Sequence, residues 1–100
     1  MANGVFNIYE YFPTNANIPF FTINNRNSDK REYFKEGITT YDALSYKFYG
    51  TSLYGRIISM ANPEFDDEFS IADGSVIRIP FPINDVISEI VEKINLYNSL

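Results

Sequence analysis

Tyr41-Asp42-Ala43-Leu44-Ser45-Tyr46-Lys47-Phe48-Tyr49-Gly50 is the stretch on which the fold turns. Tyr41, Leu44, Ser45 and Phe48 recur at i, i+3, i+4 and i+7, which is one face of an α-helix. Just before it, Thr39-Thr40-Tyr41-Asp42 has the form of a capping box. In that motif a Thr hydroxyl takes an orphan N–H and the acid three residues on reaches back. Gly50 is expected to end the helix, because glycine adopts the left-handed conformation just past a last turn without steric cost. Working outward, Thr51 or Ser52 is placed to cap a second helix, with Leu53, Ile57, Met60 and Ala61 along its inner side. Asn62-Pro63 stops that helix, since proline lacks the N–H and clashes with a continuing turn. After an acidic loop, Asp73-Gly74 reads as a tight turn and Val76-Ile77-Arg78-Ile79 as a short strand closed by Pro80. Arg31 to Lys35 supplies a partner strand upstream, with Glu36-Gly37 as its turn. Such a unit, from Tyr33 to Pro80, is smaller than a lone core normally tolerates, so the flanks are expected to contribute to burial.

The whole chain has 100 residues, room for one small domain, with 45% hydrophobic and 21% charged residues. Nine Phe and eight Tyr make it rich in rings, without any Trp. The net charge is −5 and no basic block occurs, which disfavours nucleic-acid binding, where clustered Lys and Arg must displace counterions. Histidine and cysteine are both missing. That removes the commonest general base, the thiol nucleophile, Cys/His zinc sites and a disulfide framework. No apolar run approaches the ~20 residues of a membrane span, and the N-terminus lacks the basic-then-apolar pattern of a signal peptide.

Downstream, Ile83, Val86, Ile87, Ile90, Val91 and Ile94 form a broad aliphatic stripe at helical spacing. Asn84 is placed to cap this helix, Asp85 suits its positive end, and Glu89 with Lys93 makes an i,i+4 pair. A helix this short is marginal alone, so its stripe must dock, either on its own chain or on another subunit. Between Val5 and Ile23 the sequence carries Phe6, Ile8, Tyr9, Tyr11, Phe12, Phe20 and Phe21, interleaved with Asn and broken by Pro13 and Pro19. Helical periodicity is missing there. Two readings fit: an extended arm that buries its rings on a neighbour, or edge strands folded on the chain's own core.

The Tyr41–Gly50 segment resembles the first helix of a LysM domain, and more narrowly the LysM variant of bacteriophage tail and baseplate proteins, where that helix ends in an aromatic pair and a glycine. Leu53 to Asn62-Pro63 is similar to the family's apolar second helix, which ends in Ala-Asn-Pro. Gly74-Ser75-Val76-Ile77-Arg78-Ile79-Pro80 matches its Gly-x-x-Ile-x-Ile-Pro closing strand. The resemblance runs from Tyr41 to Pro80 and implies an α+β fold, a small β-α-α-β core with both helices on one side of two antiparallel strands. It divides the chain into an aromatic, Asn-rich N-terminal arm (1–31), a LysM-like domain (32–81) and a C-terminal amphipathic helix and tail (82–100). LysM domains usually carry Gly-Asp-Thr before the first helix, and here Ile38-Thr39-Thr40 stands in that place. That loop helps form the groove in which carbohydrate-binding members hold N-acetylglucosamine, so its alteration weakens the glycan reading.

What the resemblance implies is a structural, non-enzymatic component of a contractile tail baseplate, wedge or hub, in the virion and assembled in the host bacterial cytoplasm. Its partners would be other baseplate, hub or tail-tube proteins, gripped through Phe6, Ile8, Tyr9, Tyr11, Phe12, Phe20, Phe21, Ile87, Ile90, Val91 and Ile94. No cofactor, metal, nucleic acid or membrane is expected. The alternative is a peptidoglycan- or chitin-binding module with a groove at Thr39, Thr40, Asn62 and Pro63, in which Tyr46, Tyr49 and Tyr54 would stack on sugars or else serve as core and rim. Adjacent acids Glu64, Asp66, Asp67 and Glu68 lack both the cleft of a glycosidase and the spacing of an EF-hand, and read as a solvated loop. Arg56 and Arg78 read as lone surface cations or as members of an interface ion pair, which is worth little if exposed.

Overall fold

A computed structural model describes residues 21–65 and 67–99. They form an α+β fold: β1 (Lys30–Tyr33), α1 (Tyr41–Tyr49), α2 (Gly55–Ala61), β2 (Val76–Ile79) and α3 (Ile83–Asn98), with single 3-10 turns at Ser52–Tyr54 and Glu68–Ser70. The strands pair antiparallel, Lys30 opposite Ile79 and Tyr33 opposite Val76. Strand β1 thus begins one residue before the expected Arg31, and the expected boundary between 31 and 32 falls inside it. The aromatic positions Phe6, Ile8, Tyr9, Tyr11, Phe12 and Phe20 lie outside the described residues.

Helix α1 forms where its periodicity places it, but its cap is shifted. Thr40, extended at φ −133°, is the N-cap, and its hydroxyl accepts from the Ala43 N–H at 3.1 Å. The hydroxyl of Thr39 is spent elsewhere, accepting from the Lys35 N–H. The N–H of Tyr41 is taken by Glu68, whose Oε2 lies 2.6 Å away across the fold. Gly50 closes the helix in the left-handed region at φ 80°. Thr51 caps the first 3-10 turn, not α2, which begins only at Gly55. The shorter α2 leaves Leu53 64% exposed instead of inside. Gly55 lies close against α1: a Cβ there would displace the Asp42 carboxylate and sit tightly, at 3.3 Å, against the Asp42 backbone nitrogen. Helix α3 starts at Ile83 behind Pro82, so Asn84 sits inside the first turn and caps nothing.

Two apolar clusters share α2. On one side Ile58 packs with Phe34, Tyr41, Leu44, Ile71, Ile77 and Ile79, between the helices and the sheet. On the other, Ile57, Met60 and Ala61 pack with Ile23, Tyr54, Val86, Ile90 and Ile94. The second cluster exists only because α3 and Ile23 come in from the flanks. Fully burying an aliphatic side chain stabilises by roughly 1.5–3 kcal/mol, so Val86, Ile90 and Ile94 make α3 part of the body. The flanks thus add the burial that the middle alone was too small to provide.

Candidate docking surface

The aliphatic stripe of α3 divides into two faces. Val86, Ile90 and Ile94 are fully buried against α2. This corrects the assignment of Ile90 and Ile94 to a partner interface: on a helix lying along the chain's own body, the centre of the stripe is consumed internally. Ile87 and Val91, one residue further round the helix, stay half-buried, Ile87 still touching the same cluster. With Ser88, Glu92, Asn95 and Leu96 they line an open trough of about 520 Å³. Leu96 is 63% exposed. Phe21 is half-buried on the opposite flank of α3, packed edge-to-face on Tyr97 with ring centroids 6.3 Å apart. Ile23 is inside the core, so this end of the expected arm folds on its own chain.

Residues 21–29 are fastened to α3 and β2 by two acids: Glu89, expected from its spacing only as the partner of Lys93, and Asp29, for which the sequence carries no local signal. Glu89 is buried and accepts from the Asn24 N–H (2.8 Å), Arg26 (2.6 Å) and Lys93 (2.7 Å). Lys93 also donates to the Thr22 carbonyl. Burial pushes the Glu89 carboxyl up, but the hydrogen bonds from Lys93, Asn24 and Arg26 outweigh it and hold its pKa below the usual value. Asp29 accepts from the Arg26 and Phe81 N–H groups, both at 3.0 Å, and from Arg78 Nε at 2.8 Å. Burial again opposes ionisation there, and the donors Arg26, Arg78 and Phe81 prevail. Arg78 is therefore no lone surface cation. Its guanidinium also donates to the carbonyls of Ile23, Asn24 and Ala61, joining three segments.

The four residues of the expected glycan groove do not converge. Asn62 is buried, and its Nδ2 donates to the carbonyls of Ile58 (2.7 Å) and Arg78 (2.9 Å) while its Oδ1 accepts from the Arg78 N–H (2.9 Å). A side-chain amide is here completing the backbone bonds of β2, and it is not available to a sugar. Pro63 next to it is exposed. Thr39 and Thr40 instead line a separate pocket of about 190 Å³ with Phe34, Glu68 and Phe69. Of the three tyrosines expected to stack on sugars or serve as core and rim, Tyr54 is buried, Tyr49 is half-buried with its hydroxyl donating to the Pro80 carbonyl, and Tyr46 stands out in solvent. The acidic loop does more than face water: Asp67 caps its own 3-10 turn by accepting from the Phe69 N–H, and Glu68 caps α1. No helix of the described residues is long and apolar enough to cross a membrane.

Compared with protein-family models, curated proteins and solved structures, the chain matches none.

Proposed function

We propose that this chain is a structural component of a phage tail baseplate, a LysM-like docking protein that binds neighbouring baseplate, hub or tube subunits by burial. The observation that carries the reading is the outer face of α3. A helix already anchored by Val86, Ile90 and Ile94 still offers Ile87, Val91 and Leu96 in an open trough. Ser88, Glu92 and Asn95 stand among them, so this face is mixed, with three aliphatic side chains beyond those that α2 covers. The element order β1-α1-α2-β2 supports the LysM-like half of the proposal, since the three motifs of the resemblance fall on α1, α2 and β2 in turn. Mechanism here is assembly: the trough and the ring-bearing residues before Phe21 supply separate weak contacts that reinforce one another through effective concentration.

Deletion of residues 1–19 tests this reading. Every described residue of the two apolar clusters lies outside the deletion, so the truncated chain is expected to fold, while the tail particle fails to incorporate it. Normal incorporation of the truncated chain contradicts the proposal.

A second reading, peptidoglycan or chitin binding, draws on one observation. Phe69 is 89% exposed at the rim of the pocket that Thr39 and Thr40 line, where a ring could stack on a sugar. Retention on insoluble cell wall, competed by N-acetylglucosamine oligomers, would favour it, and lack of retention would remove it.

A further inference from the structure

Sharing Glu68 and Phe69 with that pocket is a second, larger one of about 300 Å³, formed where the start of α1, one side of α2 and the acidic loop meet. Asp42, Asp67 and Glu68 line it against one arginine, Arg56, and Phe69 stands at its edge. Tyr41 also lines it. This tyrosine is only 6% exposed, and its hydroxyl is buried without a hydrogen-bond partner. A buried hydroxyl left without a partner opposes folding through its desolvation, and that cost disappears if the group is a phenyl ring. The charges of Glu68, Glu64 and Asp67 act on this hydroxyl, and burial together with those acids pushes its pKa up to about 12, so it stays neutral and retains lone pairs for a donor. We propose that this pocket receives the side-chain cation of a partner protein, a lysine ammonium or arginine guanidinium, with Tyr41 as an acceptor at its floor.

The chemistry of the lining selects that occupant. Excess carboxylate favours a cation over an anion or a neutral sugar. Among the described residues no three acids converge closely enough to hold a metal ion. A cation that brings its own N–H donors suits such dispersed acids better than a bare ion, which needs a tight oxygen cage. The exposed face of Phe69 offers a cation–π contact and an apolar surface for the alkyl stem. The inference rests on the docking reading only in taking the cation's carrier to be a protein, and binding of the cation itself is measured on the isolated chain.

Titration of the full chain with N-acetyl-lysine methylamide at low salt, followed by amide chemical shifts, tests the proposal against N-acetyl-norleucine methylamide as the uncharged control. Saturable shifts at Asp42, Asp67 and Phe69 with the lysine probe alone are expected. Tyr41→Phe is expected to weaken binding by about fivefold while the melting temperature holds or rises, the signature of a hydroxyl kept for a ligand and not for the fold. Asp42→Asn, which keeps the side-chain volume, is expected to weaken it similarly. Equal shifts with both probes, or equal affinity in Tyr41→Phe and the parent chain, would overturn the proposal. Calcium chloride shifting the same amides at lower concentration than the lysine probe would overturn it in favour of a metal site.

Discussion

Arg78 Nε lies 2.8 Å from Asp29 Oδ2, and through that ion pair β2 holds the segment that runs into β1. The two side chains are 16% and 2% exposed, so neither charge is well hydrated if the other is removed. Breaking such a pair from one side typically costs about 3–5 kcal/mol, much of it the penalty of a stranded charge. Arg78→Met is therefore expected to lower the melting temperature by more than about 10 °C in thermal unfolding followed by circular dichroism. Arg78→Lys should recover little, because a single ammonium cannot span the donor set that reaches Asp29, Ile23, Asn24 and Ala61.

Acid should loosen the same segment. Asp29 and Glu89 both hold their protons less tightly folded than unfolded. Their stabilising contribution is fully present above the ordinary carboxylate range of about 4 and is lost as pH falls through the depressed folded values. The melting temperature is expected to be level from neutrality to about pH 5 and to decline below about pH 4. In the Asp29→Asn, Glu89→Gln double variant it should start lower and fall less steeply. A parent chain equally stable at about pH 2 and pH 7 would contradict this.

Asn62 offers a separate check on the glycan groove. Asn62→Ala removes three buried hydrogen bonds, two of them to the backbone of Arg78, and should cost roughly 2–4 kcal/mol in denaturant unfolding. If the parent chain is retained on cell wall at all, a destabilised but folded Asn62→Ala chain should be retained equally, since the amide faces inward.

The two faces of α3 should separate by substitution. Ile90→Ala opens a hole in the cluster with Ile57 and Met60 and is expected to cost about 2–5 kcal/mol. Val91→Ala, on the trough side, should change stability by less than about 1 kcal/mol. Equal costs at the two positions in urea unfolding would mean that the trough side is also packed.

Much of this architecture is legible in the residues. The periodicity of Tyr41 to Phe48, the glycine at 50 and the Pro-closed strand at 76–79 are local signals, and local signals fix helices and strands. What stayed illegible is long-range. The acid Glu68 taking the N–H of Tyr41, Glu89 taking that of Asn24, and Arg78 gathering carbonyls from two other segments all join positions far apart in the chain. Glu89 and Lys93 do form the expected i,i+4 pair, yet spacing alone gives no sign that Glu89 is buried. Likewise a stripe of six aliphatics shows that α3 must dock, and only the packing shows that Ile90 is consumed while Val91 is left at the surface.

On the proposed reading, a neighbour in a tail particle covers the outer face of α3. The most direct test is to replace Ile87 and Val91 together by Lys, confirm by thermal unfolding that the chain keeps its fold, and measure by mass spectrometry how much of it purified particles contain. A folded chain missing from the particles is the expected result. Particles carrying the Ile87→Lys, Val91→Lys chain at the parent level would contradict it.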